Sequence, residues 1–171
     1  MNFIIKIFQK AFTNPLGLFY GSIAIARGSF YIIKYCSLNR KVKIKFPFKA
    51  FAPVKIIGPG CVHIDKGCSV LNNVFRGLAI VTLSPDAKVI IGRECILGGL
   101  TIRCRKQVKL GNNCISAVSL VQDTLWIHSY QTLTKSESVH DRETMPIDIG
   151  YNVWIGGHCC VLGGSRIGND S

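Results

Sequence analysis

Residues 149–171 read IGYNVW-IGGHCC-VLGGSR-IGNDS. Cut every six residues, the run places Ile149, Ile155, Val161 and Ile167 at the first position. Gly or Leu follows at the second, and Val153, Cys159, Ser165 and Ser171 occupy the fifth. An aliphatic residue and a small residue recurring at a fixed period are the signature of a solenoid. Each unit then supplies one flat strand, with the aliphatic and the small side chain pointing inward at different depths. Gly beside the aliphatic suits a tight corner, where a Cβ is costly.

The run IGYNVWIGGHCCVLGGSRIG resembles the most recognisable segment of the hexapeptide-repeat acyltransferases. The resemblance extends from about residue 53 to the end. It implies an all-β fold, a left-handed parallel β-helix that assembles as a homotrimer; spacing alone gives neither handedness nor trimer.

Shorter units lead up to this run. IGPGCV starts at Ile57, IDKGCS at Ile64, IGREC at Ile91, LGGLT at Leu97 and LGNNC at Leu110. The register slips at residues 70–82 and 103–109, which predicts insertions or bulges at those coil edges. Residues 122–148 abandon the pattern altogether, and a long excursion from a regular solenoid is usually functional or disordered. Without it, residues 53–171 make roughly five coils of eighteen.

The eight cysteines suggest disulfides or a metal site only at first sight. Cys61, Cys68, Cys95, Cys114 and Cys159 each fall at the fifth position of a hexad, which predicts small, inward-facing thiols. No CxxC pair exists and no Cys/His spacing matches zinc, so the expectation is free thiols, a reducing compartment and no metal.

The net charge of +12 is uneven. Residues 1–64 hold ten Lys or Arg and no acid before Asp65, whereas residues 65–171 are nearly balanced. Residues 1–38 are apolar, broken at Asn14-Pro15, and fall short of the ~20 uninterrupted apolar residues of a spanning helix. They predict one or two helices that lie in a membrane interface or cap the open end of the solenoid. No cleavable signal peptide is evident. Residues 40–49, RKVKIKFPFK, alternate Lys41, Lys43 and Lys45 with Val42, Ile44 and Phe46, predicting a half-buried strand with a basic face. That face is either a solvated edge or a surface for lipid phosphates or an anionic glycan. An apolar, basic segment without acids points to an anionic membrane surface; no nucleic-acid motif accompanies the charge. The chain therefore divides into a helical, basic, membrane-associating segment at 1–49 and a β-helix at 50–171 carrying the excursion 122–148.

The resemblance also implies chemistry. In the acyltransferases a histidine on or near such a loop is the general base on an acceptor hydroxyl. That hydroxyl attacks the thioester of acetyl-CoA, held between subunits. The matching segment is Asp123-Thr124-Leu125-Trp126-Ile127-His128-Ser129, with one residue more before the histidine than the family's short pattern. His128 is thereby the candidate base, and Asp123 is either its orienter or a turn carboxylate. His140, beside Asp141, competes for the role. Trp154, Gly156, Gly157 and His158 match the family's CoA groove, with Trp154 alternatively an aromatic at a subunit contact. His63 receives no role. The implied reaction is O-acetylation of a sugar hydroxyl in surface-polysaccharide biosynthesis, at the cytoplasmic face of the membrane. Alternatives are a small acceptor such as serine or a free sugar, or an inactive membrane-bound scaffold. A zinc hydratase on the same solenoid needs three converging histidines, and His128, His140 and His158 lack that spacing.

Overall fold

The computed structural model describes residues 14–72, 77–124 and 144–171. Helix α1 (Pro15–Leu38) precedes a succession of short strands. They are β1 (Val42–Ile44), β2 (Lys49–Ala50), β3 (Val54–Ile57), β4 (Cys61–Ile64), β5 (Ser69–Leu71), β6 (Leu78–Thr82), β7 (Lys88–Ile91) and β8 (Ile96–Gly98). Then come β9 (Leu100–Cys104), β10 (Gln107–Leu110), β11 (Ile115–Ser116), β12 (Ser119–Gln122), β13 (Ile147–Ile149), β14 (Trp154–Ile155), β15 (Cys159–Leu162) and β16 (Arg166–Ile167).

Every third strand joins the same sheet, giving three parallel sheets: β1-β4-β7-β10-β13-β16, β2-β5-β8-β11-β14 and β3-β6-β9-β12-β15. We call them A, B and C. This arrangement is compatible with a parallel β-helix. The described strands complete five circuits and begin a sixth.

The sixfold pattern becomes columns of stacked side chains. Ile44, Ile64, Ile91, Leu110, Ile149 and Ile167 align across sheet A. At the corner into sheet B the inward column is Phe48, Cys68, Cys95, Cys114 and Val153, all buried. Ile149, Val153, Ile155 and Val161 point inward as the hexads require. The thiols satisfy themselves on the next coil: Cys68 Sγ donates to Gly92 O (3.1 Å), Cys95 Sγ to Gly111 O (3.2 Å) and Cys114 Sγ to Gly150 O (3.1 Å). Burial and the neighbouring thiol keep Cys114 protonated; the Cys95 hydrogen bond is the larger cause.

Two of the five cysteines expected inside are exposed. Cys61 opens β4, where Val62 and Ile64 face the core, so it points outward. The hexad starting at Ile57 was one register out, and Ile57 itself is exposed. Cys159 continues the inward column of Leu78, Leu100 and Ser119, but lies on the edge strand β15.

The corner from sheet A to sheet B explains the glycines. A Cβ on Gly111 would lie 2.4 Å from Gly150 O, a backbone atom with nowhere to go. The left-handed residues Glu94, Asn113, Asn152 and Asp170 recur at this corner, and Asn and Asp tolerate that conformation best among non-glycines. Asn112 Oδ1 accepts from Arg93 N (3.0 Å) and Asn169 Oδ1 from Tyr151 N (3.0 Å), one corner bracing the next.

Only the last circuit keeps the eighteen-residue period, from Ile149 to Ile167. The circuit from Ile64 to Ile91 is longer by nine residues, at the slip expected for 70–82. The slip at 103–109 is also an insertion: Ile102 to Leu110 spans eight residues where the equivalent Val161 to Ile167 spans six. The regular solenoid also starts earlier than the hexads indicate, because β1 pairs with β4 in register, Val42 to Val62. Val42 and Ile44 are buried and Lys43 is exposed, the half-buried strand expected for 40–49.

Asn14-Pro15 begins the helix rather than interrupting one. Asn14 Oδ1 accepts from Gly17 N (2.8 Å) and Pro15 occupies the first turn, a standard N-terminal pairing. α1 packs on β1 and β2 through Ala24 and Gly28, and a Cβ on Gly28 would strike Phe48 O. Tyr35 Oη donates to Val54 O (2.9 Å) and accepts from Ile56 N (3.2 Å), while Arg27 Nη1 donates to Phe51 O (3.2 Å). The Tyr35 bonds occupy backbone groups on the edge strand β3 and the Arg27 bond one on the corner before it, so the helix covers the open end of the first coil. Its opposite face leaves Leu16, Phe19, Tyr20, Phe30 and Ile33 more than half exposed.

Candidate functional site

Asp123 follows β12 at the corner where the chain leaves sheet C for sheet A. Its side chain is fully buried. Oδ1 accepts from Arg105 N (2.7 Å), and Oδ2 accepts from Lys106 N (2.6 Å) and Gln107 N (2.9 Å). Cys104 Sγ donates to the same Oδ2 at 3.5 Å. Burial, with the Asp123 carboxylate next in weight, pushes the Cys104 thiol up to about 12. Asp123 thus ties down the two-residue corner of the coil below, whose N–H groups have no strand partner. This is the turn-carboxylate role. His128 and His140 lie outside the described residues, so the pairing of Asp123 with either histidine does too.

The excursion expected at 122–148 is narrower at both ends, since Gln122 ends β12 and Ile147 opens β13. Thr124 and Thr144 form an antiparallel bridge. Met145 N donates to Asp123 O (3.1 Å) and Gly164 N to Met145 O (3.2 Å). Gly164 has φ +84, the left-handed backbone for which glycine is suited.

The four residues matched to a CoA groove sit at a different corner. Trp154 points outward from β14 and is 72% exposed. It ends an outward row on sheet B that runs Ile96, Ile115, Trp154. Gly156, Gly157 and His158 form the corner from sheet B to sheet C. A Cβ on Gly157 would meet nothing within 4 Å among the described residues. His158 is exposed with φ +59, and its N–H donates to Val118 O on the preceding coil. This corner and the root of the excursion stand at opposite ends of β15, roughly 16 Å apart at about 3.3 Å per strand residue. The described residues of one chain therefore do not bring them together.

A larger feature lies on the outer face of sheet A, a groove of about 1000 Å³. Along it run Lys43, His63, Ile90, Lys109, Asp148 and Arg166, one residue from each coil in strict register. Lys41 and Lys88 stand in the neighbouring row. Lys109 Nζ pairs with Asp148 (3.5 Å), and Lys45 Nζ pairs with Asp65 (3.1 Å) at the rim. The backbone N–H of Lys66 and the Lys45 ammonium hold the Asp65 carboxyl below its ordinary range. Lys41 Nζ is engaged by Pro59 O (3.0 Å) and Pro85 O (3.4 Å). Among the described residues, Lys43, Lys88 and Arg166 have no carboxylate within ion-pair distance.

Sequence reasoning singled out Lys41, Lys43 and Lys45 but not the rest of this face. His63, Lys88, Lys109 and Arg166 come from four further coils, separated by circuits of unequal length. Alignment of the inward columns, rather than the hexads beginning at Ile57, was the signal that could have collected them. Among the described residues no cluster of His, Cys, Asp or Glu has the geometry of a metal site. Comparisons of the chain with protein-family models, with curated proteins and with solved structures give no match.

Proposed function

We propose that this chain is an acyl-CoA-dependent O-acetyltransferase of the hexapeptide-repeat type, a left-handed β-helix working as a homotrimer on a sugar hydroxyl of a surface-polysaccharide precursor. The observation that carries the reading is the recurrence of every third short strand in one of three parallel sheets, with the 149–171 hexads at the last coils and one long excursion rooted beside them. The separation of that root from the Trp154–His158 corner favours a site completed by a neighbouring subunit. The excursion of one chain would then meet the open Gly156-Gly157 corner of another. The apolar row Ile96, Ile115, Trp154 is a surface suited to such a contact.

In this reading the pantetheine arm of acetyl-CoA lies along Gly156 and Gly157, where no side chain intervenes, with Trp154 and His158 at its edge. His128 accepts the proton of the sugar hydroxyl as its oxygen attacks the thioester carbonyl. The CoA thiolate then leaves and takes up a proton. An imidazole suits this step because its ordinary pKa lies near neutrality. Nothing in the chemistry calls for a metal.

In this reading the enzyme works at the cytoplasmic face of a membrane, and the exposed apolar face of α1 supports it. The helix is long and apolar enough to cross a membrane, but only 11% of its most apolar window is buried within the chain. A helix apolar on nearly all sides, with one stripe fixed to coil 1, needs another apolar phase for the remainder. Spanning would carry coil 1 into the bilayer, so in this reading the exposed face of the helix rests on the membrane surface, with neighbouring basic residues such as Lys43 and Lys45 near anionic headgroups.

The test is thiol release from acetyl-CoA with a panel of sugars and lipid-linked glycans. We expect release that depends on acceptor. His128→Asn should lower kcat by roughly 10²–10⁴-fold and leave CoA binding nearly unchanged, while His140→Asn should cost less than about tenfold. CoA binding without release on any acceptor would favour the inactive scaffold. Full turnover in both histidine variants would remove the general base from this loop.

A further inference from the structure

The groove on sheet A has no part in the acyl-transfer site just described. It lies outside the solenoid, so it is not core, and its rows cross every coil from β1 to β16. Coils stack at about 4.8 Å, so six strands make a track roughly 24 Å long. A ligand that fills it is elongated and lies along the solenoid axis.

The charges define it further. Lys43, Lys88 and Arg166 are exposed and unpaired among the described residues. They occupy the first, third and sixth coils, which at about 4.8 Å per coil puts them roughly 10 and 14 Å apart along the axis. Between them stand the Lys109–Asp148 pair and the apolar side chain of Ile90. A nucleic acid presents a charge far more densely, about every 3.4 Å along each strand of a duplex, and would meet Asp65 and Asp148 unfavourably. Tyr151 is about half exposed at the rim and offers an aromatic face to a sugar ring.

We propose that the outer face of sheet A binds an elongated, sparsely anionic glycan chain, with Lys43, Lys88 and Arg166 reading its acidic groups. This deepens the acyltransferase reading, from which it takes only that the acceptor is a sugar. The track begins at coil 1, beside α1, so a glycan attached to a membrane lipid would enter it at the membrane end and run up the sheet.

The experiment uses the full chain and three probes of matched length: a hyaluronan oligosaccharide, which carries one uronate per disaccharide, long enough to span the six strands, a neutral maltooligosaccharide and a single-stranded RNA. Binding is read by fluorescence anisotropy at low and moderate salt. The expected result is preference for the uronate, weakened by salt. The triple variant Lys43→Glu, Lys88→Glu, Arg166→Glu should bind it roughly tenfold or more weakly. All three side chains are exposed, and far-UV circular dichroism checks that the variant stays folded. Absence of uronate binding, equal binding by the folded triple variant, equal binding of the neutral chain or tighter binding of RNA would each overturn the inference. Thiol release is measured on the same wild-type samples. A protein that binds uronate but releases no thiol keeps the groove and loses acyl transfer; one that acetylates a neutral sugar and ignores uronate does the reverse.

Discussion

Asp123 offers a test of how the solenoid holds the tight corner at Arg105-Lys106. In Asp123→Asn the side chain keeps its volume, but one carboxylate oxygen becomes an NH₂ group. Whichever way the amide turns, at least one backbone N–H among Arg105, Lys106 and Gln107 then faces a donor. A buried donor without an acceptor costs about 1–3 kcal/mol. The remaining bonds lose the charge on their acceptor, which is worth about 1 kcal/mol each. The sum is about 3–5 kcal/mol, with Asp123→Ala at the upper end or beyond. For a chain of this size each kcal/mol moves Tm by about 2–4 °C, so Asp123→Asn should melt about 6–20 °C lower. Scanning calorimetry with a matching urea midpoint measures it. A shift below about 2 °C would refute the corner argument. If turnover fell at low temperature while Tm stood still, Asp123 would act through His128 instead.

Gly111→Ala drives a Cβ into Gly150 O and should cost about 1–3 kcal/mol, whereas Gly157→Ala meets no atom and should leave the urea midpoint unchanged while weakening CoA binding if the pantetheine arm lies there. Among the described residues Ser116 Oγ is buried without a hydrogen-bond partner, so Ser116→Ala should raise the stability by about 1 kcal/mol. Mass-spectrometric mapping after brief iodoacetamide treatment at neutral pH should find Cys61, Cys159 and Cys160 modified and Cys68, Cys95, Cys104 and Cys114 spared, since the first three are exposed and the others buried. For Cys104 ionisation acts the same way, since a thiol raised to about 12 has almost no thiolate at pH 7; Cys68, which its hydrogen bond with Cys95 shifts down, is spared by burial alone. Phe19→Ser, Phe30→Ser and Ile33→Ser together should abolish flotation with anionic liposomes without changing the β-sheet signal; retained flotation would mean that α1 serves only as a cap.

The four hexads at 149–171 declare their own geometry, because a period of six with one aliphatic and one small residue can be buried only by stacking identical turns. Val42, Ile44 and Lys43 likewise declare a half-buried strand, through alternation alone. The N-terminal helix was legible from its apolar composition, although Asn14-Pro15 read as a break rather than as its start. Its direction of contact was not, since a helix apolar on nearly all sides carries no moment to say which stripe meets the solenoid. Gly28 against Phe48 O and Tyr35 on Val54 settle that, and only in three dimensions. Cys61 shows the same limit within the repeats: a one-residue error in register turns every side chain to the opposite face. Asp123 could be read equally as orienter or turn carboxylate, because its three donors are backbone N–H groups that no side-chain pattern reveals. The groove on sheet A went unread for a related reason. Circuits of twenty, twenty-seven, nineteen and thirty-nine residues precede the one of eighteen, so Lys43, His63, Lys109 and Arg166 share no period in the chain. They become neighbours only because hydrogen bonding between strands pins the inward columns and discards the surplus residues at the corners.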